Sequence, residues 1–153
     1  MPLEVDIPGR RLELEHLVLD VNGTLAQRGA VIEGVPERLA RVGEDLRIHL
    51  LSADTYGTLD EVAAALRVEP TRIESGEDKQ RVVAELGARR CVAVGNGAND
   101  RLMLELAALG IAIVGPEGAA GAAVRVADVV CGSIVEALDL LLDVDSLRST
   151  LRD

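Results

Sequence analysis

The chain has 153 residues, enough to bury one sizeable core, and a single domain over 1–153 is expected. Its formal net charge of −10 excludes a general binder of nucleic acid or of anionic membrane surfaces. Apolar residues make up 48%, yet there is no Phe or Trp and only one Tyr. The core must therefore use small branched side chains, which suit helices on a parallel sheet, and aromatic platforms for stacking bases are lacking.

No apolar run approaches the roughly 18 residues of a membrane span, and the N-terminus lacks a charged-then-apolar signal pattern. A cytoplasmic protein with no membrane partner is expected. Cys91 and Cys131 lie far apart in apolar runs, which suits small buried hydrophobes rather than a metal pair or disulfide framework. His16 and His49 lie in strand-like runs and are read as structural.

In chain order, Leu12–Val21 reads as a strand, and Ala26–Gly34, with two glycines, as a small hairpin or flap. Pro36–Val42 suits a helix with proline in its first turn. A strand follows at Leu46–Leu51. Thr58-Leu59-Asp60-Glu61 has the spacing of a capping box, opening a helix through Leu66. Arg72-Ile73 is a minimal strand, and Asp78–Leu86 a helix stopped by Gly87. Then come a strand at Cys91–Val94, a helix at Asn99–Ala108, a strand at Ile111–Val114, and an ambiguous small-residue stretch at Gly118–Ala123. Ala127–Val130 reads as the last strand. Ser133-Ile134-Val135-Glu136 caps a helix through Leu142, and a short helix begins near Asp145. Alternating strands and helices predict an α/β fold with a mostly parallel sheet and no linker or repeat.

Ligands of such sheets bind beyond the carboxyl ends of the strands, where Asp20, Ser52 and Asn96 all fall. Asp20, at the end of a buried strand and followed by Asn22-Gly23-Thr24, can attack phosphorus, although Asp and Asn-Gly are also ordinary turn chemistry. Gly23 permits a tight turn whose N–H groups can cradle phosphate oxygens. Ser52 ends a strand and can hold a phosphate oxygen or merely serve as a helix-cap or turn serine, and Asp54 and Thr55 follow in the same loop. Gly95–Asp100 is a poor dinucleotide fingerprint because Asp100 would repel a pyrophosphate, whereas Asp100 and Asn96 offer the oxygen ligands that magnesium accepts. Lys79 is the sole lysine among 16 basic residues, so its compact ammonium head is singled out.

Asp20-Val21-Asn22-Gly23-Thr24-Leu25, Leu51-Ser52-Ala53-Asp54-Thr55, Lys79 and Gly95-Asn96-Gly97-Ala98-Asn99-Asp100 occur in one order over most of the chain. In this the chain resembles the haloacid dehalogenase (HAD) superfamily, above all the soluble relatives of P-type ATPase phosphorylation domains. The resemblance implies a three-layer, Rossmann-like sheet with helices on both faces, and Mg²⁺-dependent phosphoryl transfer through an aspartyl phosphate. It implies Asp20 as nucleophile and metal ligand, with the Asn22 carbonyl, Asn96 and Asp100 completing the metal shell. Gly23, Thr24, Ser52, Ala53 and Lys79 would surround the phosphoryl group, and Asp54 and Asn99 would support the loops.

Two positions depart from the pattern. Asn22 stands where phosphatases of the superfamily usually have an aspartate general acid–base, a loss that typically costs about 10²–10⁴-fold. Asn96 also replaces a common aspartate, which lowers the charge offered to a metal. Slow turnover, weak metal binding or both are expected, and a phosphate-binding or regulatory module with little turnover is the alternative. The segments between Asp20, Ser52 and Lys79 are too short for a cap domain. An open site implies a phosphorylated small molecule or phosphoprotein as substrate, with homo-oligomerisation as another way to cover it.

Overall fold

The computed structural model describes residues 1–53 and 59–153. The chain opens with a hairpin, β1 (Leu3–Ile7) and β2 (Arg10–Leu14), paired antiparallel from Leu3 against Leu14. After β3 (His16–Asp20) comes a small two-stranded flap, β4 (Ala26–Gln27) with β5 (Ala30–Val31), then α1 (Val35–Val42) and β6 (Arg47–Ser52). Next are α2 (Leu59–Leu66), β7 (Pro70–Arg72), α3 (Gly76–Leu86), β8 (Cys91–Gly95) and α4 (Arg101–Leu106). The chain ends with β9 (Leu109–Ile113), α5 (Gly121–Val126), β10 (Val129–Cys131), α6 (Ile134–Leu141) and α7 (Val144–Leu151).

Six strands form one parallel sheet in the order β10-β9-β8-β3-β6-β7. The chain builds outward from β3 through β6 to β7, then returns to place β8 on the other side of β3. The carboxyl ends of β3 and β8 therefore flank the point where the strand order reverses, the place where a parallel sheet opens a crevice.

The buried runs explain the layers. Side chains alternate along a strand, so Leu17 and Leu19 of β3 face one side and Val18 the other. The first side buries Leu50, Val94 and Ile113 beneath Leu39 of α1, Val62 of α2 and Leu138 of α6. The second buries Cys91, Ala93 and Ala112 beneath Val83 of α3, Met103 of α4 and Ala123 of α5. Both cysteines are free and buried, and burial pushes each thiol up to about 11, so neither is a reactive thiolate. The side chains of His16 and His49 meet 3.1 Å apart near the start of the sheet strands, away from the crevice.

The structure differs from the sequence expectation in places. The strand expected over Leu12–Val21 is two strands broken at Glu15. β2 alternates buried and exposed as a hairpin does, whereas β3 is buried on both faces. β1 was not expected from the sequence. Helix α3 starts at Gly76, two residues before Asp78, because Ser75 and Asp78 form a reciprocal capping box. The small-residue stretch resolves into a turn followed by α5. The capping box expected at Thr58 falls outside the described residues. No helix among the described residues is long and apolar enough to cross a membrane.

Candidate active site

Asp20 is the last residue of β3 and almost fully buried. After it the chain turns sharply: the Val21 carbonyl accepts from the N–H groups of Thr24, Leu25 and Ala26 at 2.8–3.2 Å. Gly23 makes this turn possible, with φ of +80°, a region that a side chain rarely tolerates. The turn brings the Thr24 hydroxyl back under Asp20, where Thr24 Oγ1 lies 3.1 Å from Asp20 Oδ2 and 3.4 Å from Asn96 Oδ1.

Lys79 points from α3 into the same place and is only 1% exposed. Its Nζ donates to Asp20 Oδ1 at 2.8 Å and to Asp100 Oδ1 at 2.7 Å. Burial alone would push the ammonium towards neutrality, but the two carboxylates outweigh it and raise its pKa above the ordinary lysine value. Asp20 is pushed up to about 6, first by burial and then by the neighbouring Asp100 charge, against the opposing pull of Lys79 and Thr24. A buried carboxylate so placed is poised to gain from a second cation.

Asp100 is completely buried, in the loop between β8 and α4. Its second oxygen accepts from the backbone N–H groups of Asn96, at 3.1 Å, and Gly97, at 2.9 Å. Gly95 leaves the space this carboxyl occupies, since a Cβ there would overlap the Asp100 side chain. Thus Asp100 stands behind the site, clasping the loop and Lys79.

In front is an open cavity of about 480 Å³. Asp20, Asn22, Ser52, Ala53, Lys79, Asn96 and Asn99 line it, so seven residues singled out in the sequence converge there. Gly23 and Thr24 lie beneath its floor, and Asp100 is not part of its wall. Asp100 accepts three hydrogen bonds, one on Oδ1 and two on Oδ2, out of about four lone-pair positions, so Oδ1 keeps room for a metal beside Lys79. Asp54 lies outside the described residues. Asn22 Nδ2 approaches Ser52 Oγ at 3.4 Å, linking the first two loops.

Sequence reasoning missed Glu117, Ala119 and Ala120, which also line the cavity. They follow β9, and Gly115-Pro116-Glu117-Gly118 carries a turn signature just past a strand end. Extending the strand-end rule to the next strand would have found them.

Comparison with known proteins gives the family and the fold. No family model matches the chain. An uncharacterised protein of Methanocaldococcus jannaschii is 45% identical over 65 residues, covering 42% of this chain and 70% of that protein. A second from the same organism is 51% identical over 39 residues, covering 26% of this chain and 89% of that protein. The chain belongs to one family with these two proteins.

Among solved structures, one described as a HAD superfamily (subfamily III A) hydrolase from Legionella pneumophila matches with a TM-score of 0.66 at 16% identity, covering 90% of this chain and 87% of that one. The fold is that of the HAD superfamily. The cobalt-bound deoxy-D-mannose-octulosonate 8-phosphate phosphatase of Haemophilus influenzae matches at 0.71 and 15% identity, covering 89% of this chain and 91% of that one. The 3-deoxy-D-manno-octulosonate 8-phosphate phosphatase of Moraxella catarrhalis, solved with magnesium, phosphate and a KDO molecule, matches at 0.65 and 16%, covering 90% and 92%. The helices and central parallel sheet of this chain follow that HAD arrangement.

The donor set suits a magnesium ion. Among the described residues no three Asp, Glu, His or Cys side chains gather closely enough to cage a metal by themselves. Asp20 Oδ and Asn96 Oδ1 do converge through Thr24 at the cavity floor. Magnesium commonly takes one or two carboxylates, keeps several waters and shares substrate phosphate oxygens. An open, oxygen-lined hollow with one raised carboxyl fits that habit better than it would fit a closed zinc centre.

Proposed function

We propose that this protein is a magnesium-dependent phosphohydrolase or phosphotransferase that acts through Asp20. The observation that carries this reading is the buried Asp20 carboxyl, held by Lys79 and Thr24 at the floor of an open polar cavity beyond the strand ends. Phosphatases of the same fold have been solved with magnesium or cobalt, which supports the choice of cation.

Asp20, the backbone carbonyl of Asn22 and Asn96 would hold the ion, with Asp100 behind them fixing the Asn96 loop. Bound there, the ion would offset the charge of Asp20 and of the incoming phosphate and so favour transfer. One Asp20 oxygen forms a bond to phosphorus as the bond to the leaving oxygen breaks, giving an aspartyl phosphate. Lys79, already facing Asp20, balances the charge of the transferred group together with the Ser52 hydroxyl and the loop N–H groups. Ala53 contributes backbone at the same mouth, Gly23 shapes the turn beneath its floor, and Asn99 closes its side.

Asn22 sets the pace. An amide neither protonates a departing alkoxide nor removes a proton from water, so the leaving group takes its proton from solvent. The second step, attack of water on the aspartyl phosphate, lacks a base. Phosphoryl donors with good leaving groups should react faster than alkyl phosphates. Between β3 and β6 the described residues hold only the flap and α1, so the mouth is open to a phosphorylated small molecule or to a phosphorylated residue on a protein.

A second reading rests on the same residue. With Asn22 at that position the protein can hold phosphate or a long-lived aspartyl phosphate as a regulatory module. Phosphate release from p-nitrophenyl phosphate and acetyl phosphate, with excess Mg²⁺, separates the two. The enzyme reading expects steady release, abolished in Asp20→Asn and raised in Asn22→Asp. A single burst without turnover selects the regulatory module, and no release from either the natural protein or Asn22→Asp removes the enzyme reading.

A further inference from the structure

Glu117 is a carboxylate that the first three strand-end loops do not supply. It sits in a two-residue turn, with Gly115 N donating to Gly118 O at 3.2 Å and Gly118 N to Gly115 O at 2.9 Å. The turn is pinned to both cation-facing loops. Gly115 packs so closely on the Gly23 carbonyl that a Cβ would collide with it. Asn96 Nδ2 donates to Gly118 O at 3.2 Å, and Ala120 N donates to Asn96 O at 2.7 Å. The Glu117 side chain then lies over Gly23. A Cβ at Gly23 would stand 2.9 Å from Glu117 Oε2 and 3.1 Å from Asn96 Nδ2. Both groups line the cavity with Asp20.

We propose that Glu117 is the second charged group of the cation site, taking the place of the carboxylate that Asn96 lacks and acting on the ion or on its bound water. This rests on the magnesium-dependent reading above. The chemistry of Asn96 supports the exchange. Its amide nitrogen donates to the Gly118 carbonyl, and it flanks Gly23 together with the Glu117 carboxylate, to which it brings no negative charge. An aspartate at 96 would turn an oxygen towards the Gly118 carbonyl oxygen and bring a second negative charge beside Gly23, where Glu117 already lies. A neutral residue at 96 and a carboxylate at 117 are thus one arrangement, with the negative charge carried by a turn that is fixed before any ion arrives. Two of its three anchors to the Gly23 and Asn96 loops are backbone contacts, so the backbone that carries the carboxylate loses little freedom on binding.

The test is Mn²⁺ binding, read by electron paramagnetic resonance or calorimetry, on the natural protein, Asp20→Asn, Glu117→Gln, Asn96→Asp and the Asn96→Asp/Glu117→Gln double variant. Glu117 is exposed, so its substitution should leave the fold intact, and thermal unfolding in chelator checks this. We expect Glu117→Gln to weaken Mn²⁺ by roughly 10–100-fold, the loss usual when a group supporting a metal is removed. The double variant should bind more tightly than Glu117→Gln, because a carboxylate at 96 then has no opposing neighbour. If Asp20→Asn weakens Mn²⁺ while Glu117→Gln does not, this proposal fails and the site reading stands. If Asp20→Asn leaves the affinity unchanged, the cation site itself is refuted. Strictly additive effects in the cycle would overturn the exchange between 96 and 117.

Discussion

Lys79 Nζ lies 2.8 Å from Asp20 Oδ1, and the lysine side chain is 1% exposed. Its other partner, Asp100, is wholly buried, so one cation separates two carboxylates with almost no water to screen them. Removing one member of a buried ion pair leaves an uncompensated charge, at a cost of about 3–5 kcal/mol. Lys79→Met should therefore destabilise the metal-free protein by that order, measured by urea unfolding at pH 8. The loss should shrink towards pH 5, as one of the facing carboxyls takes a proton. A loss independent of pH would mean that packing, not charge, is what the lysine provides.

Asp20 should make the metal-free protein less stable as pH rises. Its native pKa of about 6 lies above the ordinary 3.8, so over that window the native state keeps a proton that the unfolded chain releases. The state that binds more protons loses stability on alkalinisation, so this contribution is lost between 3.8 and about 6 and stays lost above. Thermal unfolding in chelator should show that slope in the natural protein and a shallower one in Asp20→Asn. Added Mg²⁺ should stabilise the natural protein more at pH 7.5 than at pH 5, where a proton competes with it for Asp20. Equal stabilisation at both values would place the ion elsewhere.

Thr24 tunes the same carboxyl. Its hydroxyl is wholly buried, and its hydrogen bond favours the ionised form of Asp20. Thr24→Val keeps the shape and removes the bond, which for a charged acceptor is worth about 1.5–3 kcal/mol. The acid limb of any Asp20-dependent phosphate release should move to higher pH, while the alkaline limb stays. A uniform drop at every pH would assign Thr24 a packing role alone.

Much of this site could be read from the sequence because its pieces follow buried strands. Apolar runs such as Leu17-Val18-Leu19 and Cys91–Val94 declare parallel strands, and the polar residues after them gather at one edge of the sheet. Lys79 was marked out by composition. What local pattern could not give is depth. Asp100 and Asn96 are four residues apart, yet only the packing of Gly95 against the Asp100 carboxyl shows that one stands behind the site and the other in its wall. Glu117 was hidden for a related reason: its turn resembles any surface turn until its contacts with Gly23 and Asn96 are known. The β1–β2 hairpin was missed because five alternating residues next to a buried strand merge with it when only apolar content is weighed.

Gly95→Ala tests that depth directly. A methyl group at this position would enter the space of the Asp100 carboxyl, which holds Lys79 through one oxygen and two backbone N–H groups through the other. Overpacking a filled site typically costs about 1–3 kcal/mol. Here the displaced group is also a counter-charge, so the lysine would be left with Asp20 alone and the Asn96 loop would lose its clasp. Gly95→Ala should lower the unfolding temperature and weaken Mn²⁺ binding together. Asp100→Asn should do much of the same damage by weakening the same contacts. Because both substitutions act through one carboxyl, the Gly95→Ala/Asp100→Asn double variant should fall well short of the sum of the two losses, as coupled neighbours do. A fully additive double variant would show that Gly95 and Asp100 serve the fold independently and that the clasp does not transmit to the cavity.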